Sequence, residues 1–214
     1  MTPLTAIQDS SDSVTETVRG KLLNCVADYR RRYPEDSERT GIFEDFFKQD
    51  LAWLDRTTDF GHVTASGWVL SPDLNSVALI FHRKLNRWLQ PGGHADLDPL
   101  TLRAAAREVI EETGIGGLEV FDLNAGKFVF LDENSLSAPP FDLDAHQIPA
   151  IMTFPAHIHF DFRYLFRAQT TETLCVDAGV AEVRWFSGAE IQAAIGEPSM
   201  LRMWRRAQAL VGAK

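Results

Sequence analysis

The sequence has few of the features that mark secreted or membrane proteins. Its only two cysteines, Cys25 and Cys175, form no C-x-x-C pair, which excludes a disulfide framework and a zinc knuckle and favours a reducing compartment. No stretch approaches the roughly 18 apolar residues of a membrane span. The N-terminus has no basic segment followed by an apolar core. We therefore expect a cytoplasmic protein with no membrane partner.

Basic residues are also scarce. The chain has 30 Asp and Glu residues against 21 Lys and Arg residues, and its formal net charge is −9. This sign opposes the binding of a nucleic-acid polymer through counterion release. An acidic protein still binds a small anion where divalent cations lie between its carboxylates and the ligand. The composition therefore favours a small-molecule partner and no nucleic-acid polymer.

Length and composition predict a globular protein with an extension. The 214 residues are 45% hydrophobic and 24% charged, which is typical of one soluble domain with an added segment. We predict an N-terminal helical arm over residues 1–57 and a second unit over residues 58–214. The arm could pack on the domain, cover its pocket or mediate a homodimer. Apolar residues with helical spacing in the arm are Val18, Leu22, Val26, Tyr29, Ile42, Phe43, Phe46, Phe47, Leu51 and Leu54.

After residue 60 the pattern becomes a mixture of strands and helices. Two β-branched and aromatic runs, at residues 63–70 and 77–81, are separated by turn residues and predict a β-hairpin. Asp98 as N-cap and Pro99 at the first helical position predict a helix that ends at Thr113. There is no clean βαβ repeat, so the fold class is α+β. Further strands are predicted at residues 118–121, 127–131, 157–166 and 182–185, and helices at 189–195 and 200–211.

Three glutamates share one face of the central helix. Glu108, Glu111 and Glu112 have the spacing i, i+3 and i+4, so their carboxylates are predicted to converge. A bound hard cation such as Mg²⁺ would reverse their mutual repulsion. The alternative is an ordinary solvated helix face. A Gly-Gly loop before the helix, and Arg107 placed to pair with Glu111, favour a functional site.

Residues 93–115 resemble the Nudix box, G-x5-E-x7-R-E-U-x-E-E-x-G-U, in which U is a bulky aliphatic residue. Eight of the nine specified positions agree at the required spacing. The departure is Pro99, where the pattern has Glu; either Asp96 or Asp98 could replace the missing charge, or the site could work with fewer ligands. The matching residues are Gly93, Arg107, Glu108, Val109, Glu111, Glu112, Gly114 and Ile115.

The resemblance implies a fold, a reaction and a set of site residues. The fold is an α/β/α sandwich around a mixed β-sheet, and the reaction is Mg²⁺-dependent hydrolysis of a diphosphate linkage in a nucleoside diphosphate derivative, with Mn²⁺ as a substitute ion. By the same resemblance Glu108, Glu111, Glu112 and the carbonyl of Gly92 would bind the metal. Glu108, Glu112 and Arg107 would be catalytic, with Arg107 orienting Glu108. Which glutamate is the general base stays open.

Other polar residues are candidates for binding substrate. His157, His159 and Asp161 alternate along one predicted strand and share a face, which could line the pocket, hold a transition metal or make structural hydrogen bonds. Arg83 and Arg87 precede the Gly-Gly loop and could meet phosphates, or could simply keep a hairpin edge soluble. The predicted substrate-binding residues are Arg83, Arg87, His94, His157, His159 and Asp161.

Three rival functions remain at this stage. A Nudix-like ligand-sensing or regulatory module without turnover is suggested only by Pro99. A metal enzyme built on His157, His159 and Asp161 would need iron or zinc. A Nudix isomerase would rely on a cysteine, and neither cysteine lies near the box. Asp177 and Glu182 are candidates for an additional carboxylate from outside the box.

Overall fold

The protein is a mixed β-sheet between layers of helices. The structure, a computed structural model, describes residues 5–49, 52–132, 138–150, 155–172, 179–195 and 197–212. Within them the helices are α1 (Thr5–Arg32), α2 (Ser37–Phe47), α3 (Thr101–Thr113), α4 (Gly188–Glu190) and α5 (Pro198–Gly212), with a 3-10 turn at Pro34–Asp36 and a π-helical turn at Ile191–Ile195. The strands are β1 (Gly61–Leu70), β2 (Ser76–His82), β3 (Arg87–Leu89), β4 (Gly92–His94), β5 (Glu119–Asp122), β6 (Lys127–Phe130), β7 (Asp142–Ile148), β8 (His157–Arg167) and β9 (Val180–Ser187).

Strands β1 and β8 run parallel at the centre of the sheet. Near their carboxyl ends β1 pairs with β2 and β8 pairs with β5, both antiparallel. Near their amino ends β1 pairs with β4, and β8 pairs with β7. The beginnings of the two central strands therefore lie in a four-stranded row in the order β4, β1, β8 and β7.

The two faces of the sheet bury different cores. On one face, Phe160 and Phe162 of β8 pack in the same cluster as Val109 of α3 and Phe43 of α2. On the other face, Trp68 packs with residues of α5. Because successive side chains of a strand point to opposite faces of the sheet, a central strand contributes residues to both cores. This arrangement confirms the predicted α/β/α sandwich around a mixed sheet.

The N-terminal arm is part of the first core. Leu22 and Val26 of α1 are fully buried in the cluster that contains α3 and β8. Phe46 of α2 stacks on Phe160 with ring centroids 3.7 Å apart. Of the roles considered for the arm, the structure shows packing on the domain, and the boundary at residues 57 and 58 stays a prediction. Within the described residues, no helix combines the length and the apolar character needed to cross a membrane.

The central helix begins later than predicted. Leu100 is its N-cap and not Asp98, because the Leu100 carbonyl accepts the first helical hydrogen bonds, from the Arg103 and Ala104 N–H groups at 2.9 and 3.1 Å. The helix therefore starts at Thr101. Its end agrees with the sequence, since Gly114 adopts the left-handed conformation at φ 71°.

A glycine on β1 permits the close approach of α3 to the sheet. A methyl group on Gly67 would overlap Val109 Cγ2 of α3 and would also reach Phe166. We expect Gly67→Ala to lower the free energy of unfolding by about 1–3 kcal/mol, as overpacking a core does. Gly41→Ala in α2 is the matched control, because nothing lies within 4 Å of the added carbon. In urea unfolding the control should be neutral or stabilising by up to ~1 kcal/mol. Equal results for the two variants would contradict this packing.

Candidate active site

Two adjacent glycines bring the backbone of β4 against both β1 and α3. Gly92 and Gly93 pair with Ser66 and Ala65 of β1. A Cβ atom on Gly92 would overlap Ser66, and one on Gly93 would lie 2.6 Å from Glu108 Oε2. Gly92 therefore requires glycine for space, and at Gly93 the Glu108 carboxylate lies directly against the backbone.

Two of the three helix glutamates turn towards this glycine pair. Glu112 is 8% exposed, and its Oε2 accepts the Gly92 N–H at 2.9 Å. Burial raises the pKa of the Glu108 carboxyl, although the nearby Arg107 opposes the shift. Glu111 is exposed and pairs with Arg107 at 3.0 Å. The three carboxylates thus form a ridge along α3. Glu108 and Glu112 lie beside the glycine pair of β4, and Glu111 lies outside it.

Arg107 ties the ridge to β4. One guanidinium nitrogen lies 2.8 Å from Glu108 Oε1 and 3.0 Å from Glu111 Oε2, so the predicted i, i+4 pair is present. The other nitrogen donates to the carbonyl of His94 at 2.9 Å. The Arg107 guanidinium therefore holds two carboxylates and the strand that faces them. This geometry suits an orienting role.

The connection from β4 to α3 carries an acidic group near the site. Asp96 Oδ2 lies 3.6 Å from Arg107, whereas Asp98 is occupied by Arg103. Asp96 and Leu97 have φ values of 49° and 67°, in the left-handed region that non-glycine residues avoid. Two such residues in succession are typical of backbone held in place for function. Of the two candidates for replacing the missing Glu, Asp96 is the one beside the site.

Comparison with known proteins identifies the family. A sequence model described as the NUDIX domain matches residues 61–206. The chain belongs to the Nudix family. The prediction of an enzyme of the Nudix hydrolase type is thereby confirmed. No curated protein matches the chain in sequence.

Two solved hydrolase structures have a similar fold. A NUDIX-family hydrolase from Clostridium perfringens is 22% identical, covers 70% of this chain and 97% of its own, and gives a TM-score of 0.52. The C. elegans Ap4A hydrolase in a binary complex is 14% identical, covers 71% of this chain and 98% of its own, and gives a TM-score of 0.50. At these identities the similarity concerns the fold.

A polar surface of the sheet lies beside the glycine pair and is formed by Thr64 and Ser66 of β1 and Asp161 and Arg163 of β8. Asp161 of β8, 3% exposed, accepts hydrogen bonds from Ser66 at 2.8 Å and Thr64 at 3.2 Å. Arg163 Nε donates to the same carboxylate at 2.8 Å. Gln90, just before the glycine pair, approaches it at 3.5 Å. Asp161 is therefore an anchor for this polar surface, with its oxygens already bonded to the protein.

Beyond Asp161 lies an ion-pair network that the sequence analysis missed. Arg163 is 3% exposed and also contacts Asp142 at 3.2 Å and Asp144 at 3.0 Å. Arg202 and Arg206 of α5 both reach Asp142, at 2.9 and 2.8 Å. The network joins β7, β8 and α5 under the polar surface. Removing one partner leaves a buried charge without compensation.

The remaining predicted residues lie apart from the box or outside the described residues. Arg83 Nε donates to the Val180 carbonyl at 3.1 Å, and the nearest acidic partner of Arg87 is Glu197 at 4.0 Å. Glu182 is exposed on β9, opposite Phe81. Asp177 and Cys175 lie outside the described residues.

Four histidines gather at one end of the polar surface. His94, His157 and His159 were selected from the sequence, and His62 of β1 was not. His62 lies with its ring centroid 5.0 Å from that of His94 and 4.9 Å from those of His157 and His159. Within the described residues, only His62, His157 and His159 form a group of three metal-binding side chains with ligand atoms within 4.8 Å of one another. The structure therefore brings three predicted residues together and adds a fourth.

The network predicts how stability responds to acid. Burial alone would raise the pKa of Asp144, but Arg163, a hydrogen bond with His146 and Arg202 outweigh it and hold the pKa well below its usual range. Because the folded-state pKa lies below the unfolded value of about 3.9, this stabilisation is present above about pH 4 and is lost as the pH falls further.

We expect Asp144→Asn to lower the free energy of unfolding at pH 7 by about 1.5–3 kcal/mol, the range for a hydrogen bond to a charged group. The loss should shrink at pH 3. Asp45→Asn, at an exposed ion pair on α2, should change stability little at either pH. Urea unfolding at the two pH values tests this, and an equal loss at both would show that the Asp144 charge is not the stabilising group.

Proposed function

We propose that the chain is a Mg²⁺-dependent hydrolase that cleaves the diphosphate linkage of a nucleoside diphosphate derivative. Mn²⁺ is expected to substitute for Mg²⁺. The observation that carries the proposal is the placement of the Glu108 and Glu112 carboxylates against Gly92 and Gly93, with Arg107 holding both the helix and the loop. Membership of the Nudix family supports the reaction class.

The donor set at the box fits a hard divalent cation. Glu108, Glu111 and Glu112 supply carboxylate oxygens, and Gly92 supplies a backbone carbonyl, which are the ligands that Mg²⁺ prefers. Burial raises the pKa of Glu108, so contacts within the protein do not fully offset the cost of burying its negative charge. A bound cation would offset that cost, neutralise charge on the phosphoryl oxygens and make a water molecule more acidic.

The remaining roles are the positioning of the carboxylates and the acceptance of a proton from water. Arg107 positions Glu108 and Glu111, and the Gly92 N–H fixes the orientation of Glu112. Either Glu108 or Glu112 can accept the proton of the attacking water, because both carboxylates are held at the loop. Attack in line with the leaving group requires this kind of fixed placement more than any covalent chemistry by the protein.

The substrate class rests on the family and on the polar surface. One structural neighbour is an Ap4A hydrolase, which supports including dinucleoside polyphosphates among the compounds tested. Of the proposed binding residues, His94 lies within the box, and its carbonyl accepts a hydrogen bond from Arg107. Arg83 and Arg87 remain proposals from the sequence. Asp161, His157 and His159 lie on the surface that continues from the glycine pair.

Replacing one carboxylate by its amide tests the proposed site. Glu112→Gln keeps an oxygen that can accept the Gly92 N–H but removes the charge. We expect turnover of a diphosphate substrate with Mg²⁺ to fall at least about 100-fold, as loss of a general base or electrostatic group produces. Glu44→Gln on α2, where Glu44 pairs with Arg30 at 2.8 Å, is the matched control. Near wild-type activity of Glu112→Gln would remove this helix face from the mechanism.

The acid that replaces the missing box Glu can be identified by a paired substitution. Asp96 lies beside Arg107, whereas Asp98 is held by Arg103. We expect Asp96→Asn to raise the Mg²⁺ concentration for half-maximal activity by about 10-fold, the scale for removing a supporting carboxylate. Asp98→Asn should leave it unchanged. The opposite ranking in a metal titration would assign the role to Asp98.

A further inference from the structure

Five of the six histidines of the chain lie together at the amino ends of β1 and β8. His62, His159 and His146 face one another directly across three paired strands. His157 precedes His159 by two residues and shares its face. His94 joins them from β4. The sixth, His82, lies at the end of β2 and accepts the Leu85 N–H.

His62 is almost completely buried, and the Thr58 backbone near its ring is only a weak hydrogen-bond acceptor. Its exposed fraction is 1%, and neither ring nitrogen makes a hydrogen bond of normal geometry within the described residues. A polar group that is buried without a good partner destabilises the folded state. The neighbours of its ring are three other imidazoles. A group that accepts nitrogen lone pairs would remove this penalty.

His157 and His159 already have the spacing of two ligands of one ion. Their Nε2 atoms are 3.2 Å apart. Two nitrogens bound tetrahedrally to Zn²⁺ at 2.0–2.1 Å lie about 3.3 Å apart. The other nitrogen of His157, Nδ1, is 2.9 Å from the Pro155 carbonyl, which places its proton there and leaves Nε2 with a lone pair. A backbone carbonyl in this position is typical of a histidine that binds a metal.

We propose that His62, His157 and His159 bind a nitrogen-preferring divalent transition-metal ion, such as Zn²⁺, at a site separate from the carboxylates of the Nudix box. Three imidazoles leave one position open, and His94 is the nearest further ring on the β4 side. The ion would bridge β1 and β8 beside the strand that carries the glycine pair.

This site differs from the metal site considered from the sequence. That hypothesis combined His157 and His159 with Asp161, but the Asp161 carboxylate is occupied by Ser66, Thr64 and Arg163. His62 takes its place through the register of β1 and β8, which sets His62 opposite His159. A set of nitrogen ligands without a carboxylate selects Zn²⁺-like ions over Mg²⁺.

Zinc titration of the full chain in excess Mg²⁺ tests the proposal. The protein is first stripped with a chelator, and Zn²⁺ binding is followed by calorimetry and by imidazole nitrogen resonances in NMR spectra. We expect one ion per chain, with coordination shifts on His62, His157 and His159 and none on His82. Absence of stoichiometric binding, or shifts that spare these three rings, would overturn the proposal without any variant.

Substitutions separate this site from the box. We expect His157→Gln and His159→Gln each to weaken Zn²⁺ binding at least ~100-fold, the upper end for loss of even an outer-shell group. The matched control His82→Gln should bind as the wild type does. Glu112→Gln should also bind Zn²⁺ normally, whatever its effect on hydrolysis. Binding that survives the cluster variants but is lost in Glu112→Gln would place the ion at the box and refute the proposal.

Discussion

The contact between the α3 carboxylates and the glycine pair of β4 is the constraint on which the rest of the site depends. Gly67 lets α3 lie close to the sheet, and Gly92 and Gly93 let the β4 backbone reach Glu112 and Glu108. A larger side chain at any of these glycines would separate the carboxylates from the loop. The two core layers fix this contact from both sides of the sheet, and Arg107 closes it electrostatically.

The central helix and its chemistry were predictable because their signals are local. Gly114, the Glu108 to Glu112 spacing and the pairing of Arg107 with Glu111 are all set within one helix, where side chains three or four residues apart are neighbours. The resemblance to the Nudix box extended this to the fold, and the family match over residues 61–206 agrees. The start of the helix was wrong by two residues, because the first helical hydrogen bonds are accepted by the Leu100 carbonyl.

The parts that were missed depend on strand register. The alternation of acidic and apolar residues along β7 is only a weak signal for a strand. In the structure Asp142 and Asp144 pair with Arg163 across the β7–β8 ladder and with Arg202 from α5. His62 belongs to no sequence motif, and only the pairing of β1 with β8 shows that it lies opposite His159. No single segment shows which strands are neighbours. The polar alternation of His62, Thr64 and Ser66 within an otherwise apolar strand was the available signal.

The two proposed sites differ in chemistry: one is an oxygen-rich ridge on α3 for hydrolysis, and the other is a nitrogen-rich cluster on β1 and β8. The most direct test of the first is product analysis with a panel of sugar nucleotides, dinucleoside polyphosphates, dinucleotide cofactors and nucleoside triphosphates, with Mg²⁺ or with EDTA. The account predicts cleavage of a diphosphate linkage in at least one compound that stops when EDTA is added. Nucleotide binding without cleavage across the panel would contradict it and would indicate a sensing module.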